Sequence, residues 1–136
     1  MPQTNMLAQL ASWKCAIHNL PFGGAKGTIK ANPKLLTVGE RERILRCYTH
    51  DLAMRGFCNP AYDVLSHDVG TSAEDCAKIV DTYKFHFGSR DINHMAVVTG
   101  KPVDALGISG RDAAGGRGAF HVLKKVLEVP EILKDS

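Results

Sequence analysis

The chain has 136 residues, of which 44% are hydrophobic, 23% charged and 7% aromatic, the composition of one ordinary globular domain. Seventeen Lys+Arg against fourteen Asp+Glu leave a net charge of +3, with both signs interspersed, too weak a bias to argue for a nucleic-acid partner. No apolar stretch approaches the roughly 20 residues of a membrane span. Met1–Met6 lacks a signal-peptide core, and Cys15, Cys47, Cys58 and Cys76 form no C-x-x-C pair, so membrane, collagen, coiled-coil and disulfide-framework classes are set aside for a reduced, intracellular domain.

In chain order, Met6–His18 reads as a helix, with Leu7, Leu10, Cys15 and Ile17 near helical spacing. It stops before Leu20-Pro21, because a residue preceding proline avoids helical angles. A glycine-rich loop, Phe22–Gly27, leads to a possible short strand at Thr28–Ala31 and an Asn32-Pro33 turn. Thr37-Val-Gly-Glu40 is a capping box that opens a helix running to Gly56, with Leu45, Tyr48 and Leu52 as its core stripe. Tyr62–Leu65 is long enough only for a strand. Thr71-x-x-Glu74 repeats the capping signature, and Cys76, Val80, Tyr83 and Phe87 share one face of a second long helix closed by Gly88. Met95–Val98 reads as a buried strand ended by Thr99-Gly-Lys-Pro102. A second glycine-rich stretch, Gly107–Gly118, precedes a last helix carrying Phe120, Leu123 and Leu127 before Pro130. Helices alternating with short apolar strands predict one α/β domain, a layered sheet with flanking helices.

Neither glycine-rich stretch fits a phosphate loop: G-x-x-x-x-G-K-[ST] is absent, and no G-x-G-x-x-G follows a strand and opens a helix. Gly115-Gly116-Arg117-Gly118 reads either as an anion cradle or as plain turn geometry. Lys26, flanked by Gly23, Gly24, Ala25 and Gly27, sits where small side chains let a ligand approach the backbone. It could hold a carboxylate as a cation or, beside a second cation such as Lys14, act as a base; the alternative is an ordinary surface lysine. The histidines show no ligand spacing, so no metal site is expected. His67, next to Asp68, is placed to perturb that carboxylate. The cysteines read as buried small hydrophobes, and Arg41, Glu42, Arg43 and Arg46 as a solvated helix face with i,i+4 pairs.

Trp13-Lys14-Cys15-Ala16 followed by Pro21-Phe22-Gly23-Gly24-Ala25-Lys26-Gly27 resembles the signature of the glutamate dehydrogenase family, the Glu/Leu/Phe/Val dehydrogenases. Asn32-Pro33-Lys34, Asp63-Val64 with Asp68, Val97–Pro102 and Gly110–Gly118 continue it in order, from about Leu7 to His121. The resemblance implies the N-terminal substrate-binding and dimerisation domain of such an enzyme, truncated and without its Rossmann domain. It implies NAD(P)-dependent oxidative deamination of L-glutamate to 2-oxoglutarate and ammonia. Under it, Lys26 and Asp68 are catalytic, Lys14 binds the α-carboxylate, and Gly23 and Gly24 line the substrate pocket. Arg111 and His94 lie toward the cofactor. NAD or NADP is the implied cofactor, glutamate and a 2-oxo acid the small-molecule partners, and the cytoplasm or mitochondrial matrix the compartment.

The chain departs from the family pattern in two places that matter here. The aspartate follows Val64-Leu65-Ser66-His67 where relatives have Val-Pro-Ala, and Gly115 stands where they have a threonine. The expectation is therefore a chain inactive by itself, which supplies the substrate-side groups only. The alternative is an inactive paralogue that binds itself or a full-length relative.

Overall fold

The computed structural model describes residues 2–61 and 63–129. Four helices carry the fold: α1 (Pro2–Ile17), α2 (Val38–Met54), α3 (Ala73–Phe87) and α4 (Arg111–Leu127). Two very short strands, β1 (Leu65–Ser66) and β2 (Val98–Thr99), pair in parallel with Leu65 opposite Val98 and Ser66 opposite Thr99. The α/β class stands, with the sheet of the described residues reduced to this pair.

Helix α2 begins where the capping box requires. Glu40 Oε2 accepts from the Thr37 amide at 2.8 Å, and Thr37 Oγ1 accepts from the Glu40 amide at 3.3 Å, so two amides without helical partners are satisfied reciprocally. The helix ends at Met54, and Gly56 follows with φ +76, the left-handed region in which glycine avoids a Cβ clash.

The core lies where α2, α3 and the two strands meet. Leu45, Cys58, Cys76, Ile79, Val80, Tyr83, Val97 and Val98 are buried, with Leu52, Leu65, Phe87 and Met95 packed against them. The periodic face expected of α3 is thus the face that packs. Tyr48 of the expected α2 stripe is half-buried, while Thr49 is fully buried and satisfies its hydroxyl by donating to the Leu45 carbonyl at 2.8 Å. Burial pushes the Cys58 thiol up to about 12, the behaviour of an inert core cysteine. Cys76 is likewise buried, but Cys47 is exposed and Cys15 half-exposed, so the buried reading holds for two of the four.

Several expectations are corrected. Helix α1 begins at Pro2, four residues before Met6, and ends at Ile17. Thr28–Ala31 forms no strand. The strand expected over 62–65 lies at Leu65–Ser66, with Tyr62 outside the described residues, and that over 95–98 lies at Val98–Thr99 after a 3-10 turn at His94–Ala96. The cap of α3 shifts by one residue: the Ser72 amide donates to Asp75 Oδ2 at 2.8 Å, and Thr71 is left for another task.

The second glycine-rich stretch is largely helix. Gly110, at φ +84, is the N-cap of α4, and Gly115, Gly116 and Gly118 lie inside the helix, neither turn nor anion cradle. None of the residues of α4 is buried. Pro130, expected to end this helix, lies outside the described residues.

The face of α2 read as solvated is an ionic ladder to α3. Arg41 pairs with Asp75, whose side chain is 4% exposed. Arg46 reaches Glu42 at 2.9 Å, Asp81 at 2.6 Å and the Thr82 hydroxyl at 3.0 Å, and Lys78 lies 3.9 Å from Glu42. A buried carboxylate needs partners of this kind to remain charged.

Candidate functional site

Because β1 and β2 run parallel, the residues that follow them emerge at one edge, which is where open parallel sheets gather their ligands. His67 and Asp68 follow β1, and Gly100 follows β2. Asp68 is held by a tight turn. Its amide donates to Thr71 Oγ1 at 2.8 Å, while the Thr71 hydroxyl and amide return to the Asp68 carbonyl at 2.9 and 3.0 Å. The threonine read as a helix cap instead locks the loop that presents the carboxylate.

Lys26 comes from the loop after α1 and forms an ion pair with Asp68 Oδ2, the two side chains being 26% and 46% exposed. That hydrogen bond is the largest cause holding the Asp68 carboxyl below the usual carboxylate range. The Val69 amide and the charges of Lys26 and Lys14 add to it, against a desolvation that pushes the other way. Lys14, in the last turn of α1, is thus within electrostatic reach of the same carboxylate. Lys26 thus pairs directly with the carboxylate, and Lys14 acts on it through its charge alone.

The loop carrying Lys26 is fixed by contacts invisible to local patterning. The Gly24 amide donates to Ser12 Oγ at 2.9 Å, and Ser12 Oγ donates to the Ala8 carbonyl at 3.3 Å, so the loop is stitched to α1. A Cβ at Gly24 would overlap the Ala8 carbonyl and the Ser12 amide; one at Gly23 would meet nothing within 4 Å. Gly27 lies against the Tyr48 hydroxyl, where a Cβ would overlap it. Glycine therefore permits close approach at 24 and 27, whereas Gly23 faces open space.

Arg111, the first residue of α4, donates from Nη2 to Ser66 Oγ at 3.2 Å and so stands at the same edge. His94 lies in the 3-10 turn before β2, and its ring nitrogen Nδ1 sits 2.9 Å from the Asp91 carbonyl. His67, expected to act on the neighbouring carboxylate, is turned to Cys76 instead, with Nδ1 3.5 Å from the sulfur. Sequence reasoning gave no site role to Ser12, Tyr48, Thr71 or Gly100, although Tyr48 was read in a helix stripe, Thr71 in a capping signature and Gly100 in a turn.

The described residues do not fit a dinucleotide. Arg111 supplies one guanidinium at the site edge, but the glycines that would have to cradle phosphates lie within α4. No cluster of three or more His, Cys, Asp or Glu suited to a metal ion occurs among the described residues. No helix among them is long and apolar enough to cross a membrane.

Comparison with known proteins bears on the family and the fold. Residues 1–85 match the Glu/Leu/Phe/Val dehydrogenase dimerisation domain. The chain is 44% identical over 128 residues to a protein named mitochondrial glutamate dehydrogenase from Dictyostelium discoideum, covering 94% of this chain and 25% of that protein. Among solved structures, hetero-hexameric glutamate dehydrogenase from Thermus thermophilus in a leucine-bound form superposes with a TM-score of 0.84 at 42% identity, over 93% of this chain and 29% of that one. Glutamate dehydrogenase from Peptoniphilus asaccharolyticus gives 0.81 at 30% identity, over 90% and 30%. The chain thus spans about a quarter of the length of its curated relative. It belongs to the Glu/Leu/Phe/Val dehydrogenase family, and the part of that family it represents is the N-terminal dimerisation domain.

Proposed function

We propose that the chain carries the substrate half of a glutamate dehydrogenase site. The reaction is the NAD(P)-dependent oxidative deamination of L-glutamate to 2-oxoglutarate and ammonia, in an assembly whose remaining parts supply the dinucleotide. The observation that carries this reading is the Lys26–Asp68 ion pair within reach of Lys14.

Lys14 holds the α-carboxylate of the amino or oxo acid by a charge-assisted contact. Asp68, ionised beside Lys26, accepts a proton from the substrate ammonium and returns it in the reverse direction. Lys26 orients the water that adds to the α-carbon of the imino acid left once hydride has departed. Gly23 and Gly24 keep that side of the site free of side chains, and Arg111 borders it. The compartment consistent with the named relative is the mitochondrial matrix or the cytoplasm.

Calorimetry tests the reading directly. The 136-residue chain is expected to bind 2-oxoglutarate, and Lys14→Ala or Lys26→Ala to weaken it about tenfold each, the size of one charge-assisted hydrogen bond. Glutamate with NAD(P) is expected to give no turnover by the chain alone. Equal affinity in both variants would remove the reading.

A second reading, an association module, draws on apolar side chains outside the core. Trp13 and Ile17 on α1 and Phe120, Leu123 and Leu127 on α4 are all more than half exposed, more apolar surface than a monomer usually leaves in water. Light scattering of the chain, alone and mixed with a full-length relative, separates the two readings. A monomer indifferent to the enzyme would rule out association.

A further inference from the structure

His67 is the residue immediately before Asp68, and its surroundings are unusually specific for a loop position. Its ring lies at the seat left by Gly100, where φ is +91 and a Cβ would come within 2.5 Å of Nδ1, 2.6 Å of Cε1 and 2.9 Å of Arg111 Nε. Only glycine leaves room for the imidazole there. The partner is the fully buried Cys76 of α3. Its thiol donates to the Thr99 carbonyl at 3.6 Å, which leaves the sulfur lone pairs to accept from His67 Nδ1 at 3.5 Å.

The His67 backbone also acts on this thiol. It pulls against the burial that raises the cysteine's pKa, as do the charges of Arg111 and Lys101, while Asp75 adds to the rise. One sulfur thus ties together the end of β1, the end of β2 and the first turns of α3.

Asp68 has two flanks. On the downstream side Thr71 locks the turn. On the upstream side no proline ring restricts the chain, since positions 64–67 are Val, Leu, Ser and His, and the restraint comes from contacts.

We propose that His67 and Cys76 form a clasp that aims the Asp68 carboxylate at Lys26, a positioning pair for the amino- or oxo-acid site. The clasp touches neither reacting atoms nor substrate, and its importance for ligand binding rests on the function proposed above. Its specificity lies in the pairing of a buried thiol with an imidazole across two elements, which neither side chain achieves alone.

The test uses the 136-residue chain with two readouts: titration of the Asp68 carboxyl followed by carbon-13 NMR, and calorimetric affinity for 2-oxoglutarate. His67→Ala and Cys76→Ala are each expected to move the Asp68 titration upward, toward the ordinary carboxylate range, and to weaken 2-oxoglutarate about tenfold. His67→Asn, which retains a polar group near the Nδ1 position, and Cys76→Ser, which retains the donor, are expected to restore both. A merely structural role would lower the melting temperature and leave the Asp68 titration of the folded variants unmoved, and that result overturns the clasp. Cys76→Ala decides the matter if His67→Ala does not fold, since it removes the sulfur inside an intact helix. The two proposals fail separately. A native chain that does not bind 2-oxoglutarate, or a Lys26→Ala variant that binds it unchanged, counts against the substrate site, while the Asp68 titration still judges the clasp.

Discussion

The two flanks of the site are built to different standards. Asp68 and His67 stand on the edge of a real core, eight buried hydrophobic residues from α2, α3, β2 and the adjoining turns at Cys58 and Val97, with Leu65 of β1 packed against them. Lys14, Gly23, Gly24 and Lys26 come from α1 and its following loop, which contribute no residue to that core. The loop is held by the Ser12–Gly24 hydrogen bond, by the approach of Gly27 to Tyr48, and by the ion pair itself. The carboxylate side thus rests on a buried core through the Thr71-locked turn, whereas the lysine side depends on a few polar stitches. Regions of the second kind open locally at much lower free energy than the core.

This contrast can be broken most severely at the core. Tyr83→Ala removes a 4% exposed ring that stacks on Phe87 at 5.0 Å and whose hydroxyl bonds Asp91 at 3.0 Å. A loss of about 3–5 kcal/mol is expected in denaturant unfolding, with both flanks of the site lost together. Asp75→Asn comes next. It takes the charge from a buried group that binds Arg41 and the Ser72 amide, and about 2 kcal/mol is expected, discounted because Arg41 is partly solvated.

Gly24→Ala sharpens the comparison rather than breaking it. The added methyl collides with α1 backbone, so α1 and its loop must separate, while the core is untouched. The global midpoint is expected to move by only about 1 kcal/mol, yet amide exchange in α1 should accelerate markedly. Gly23→Ala, which meets nothing within 4 Å, serves as the neutral control. The smallest effect is electrostatic. Since the folded Asp68 carboxyl titrates below its ordinary value, its stabilisation is present above the unfolded value and fades as pH falls through the folded one. Lys26→Ala should flatten that acid limb, by less than about 1 kcal/mol given the exposure of the pair.

What the sequence disclosed follows the same division. The capping box at Thr37 and the buried face of α3 were legible because helical contacts recur every three or four residues, within one segment. Strands of two residues have no alternation to read, so Leu65–Ser66 and Val98–Thr99 were displaced by a few positions. Thr71 was misassigned because a residue that caps a helix and one that locks a preceding turn have the same chemistry. The glycines of α4 were taken for a loop because their intrinsic preference opposes helix, and only the left-handed Gly110 marks the true start. The candidate site residues Lys14, Lys26 and Asp68 were singled out through ordered motifs. The roles of Ser12 and Tyr48 against the lysine loop were not, because each acts on residues distant in sequence.

The charge ladder between α2 and α3 has a consequence for how the two helices find each other. Its pairs ascend together, Arg41 with Asp75, Glu42 with Lys78, and Arg46 with Asp81. Slipping one helix along the other by a single turn, about 5.4 Å, would bring Glu42 opposite Glu74 or Thr82 and Arg41 opposite Thr71 or Ile79. Aliphatic side chains tolerate such a slide far better than charges do. The ladder therefore works as a vernier: the greasy seam decides that the helices adhere, and the ions decide at which notch.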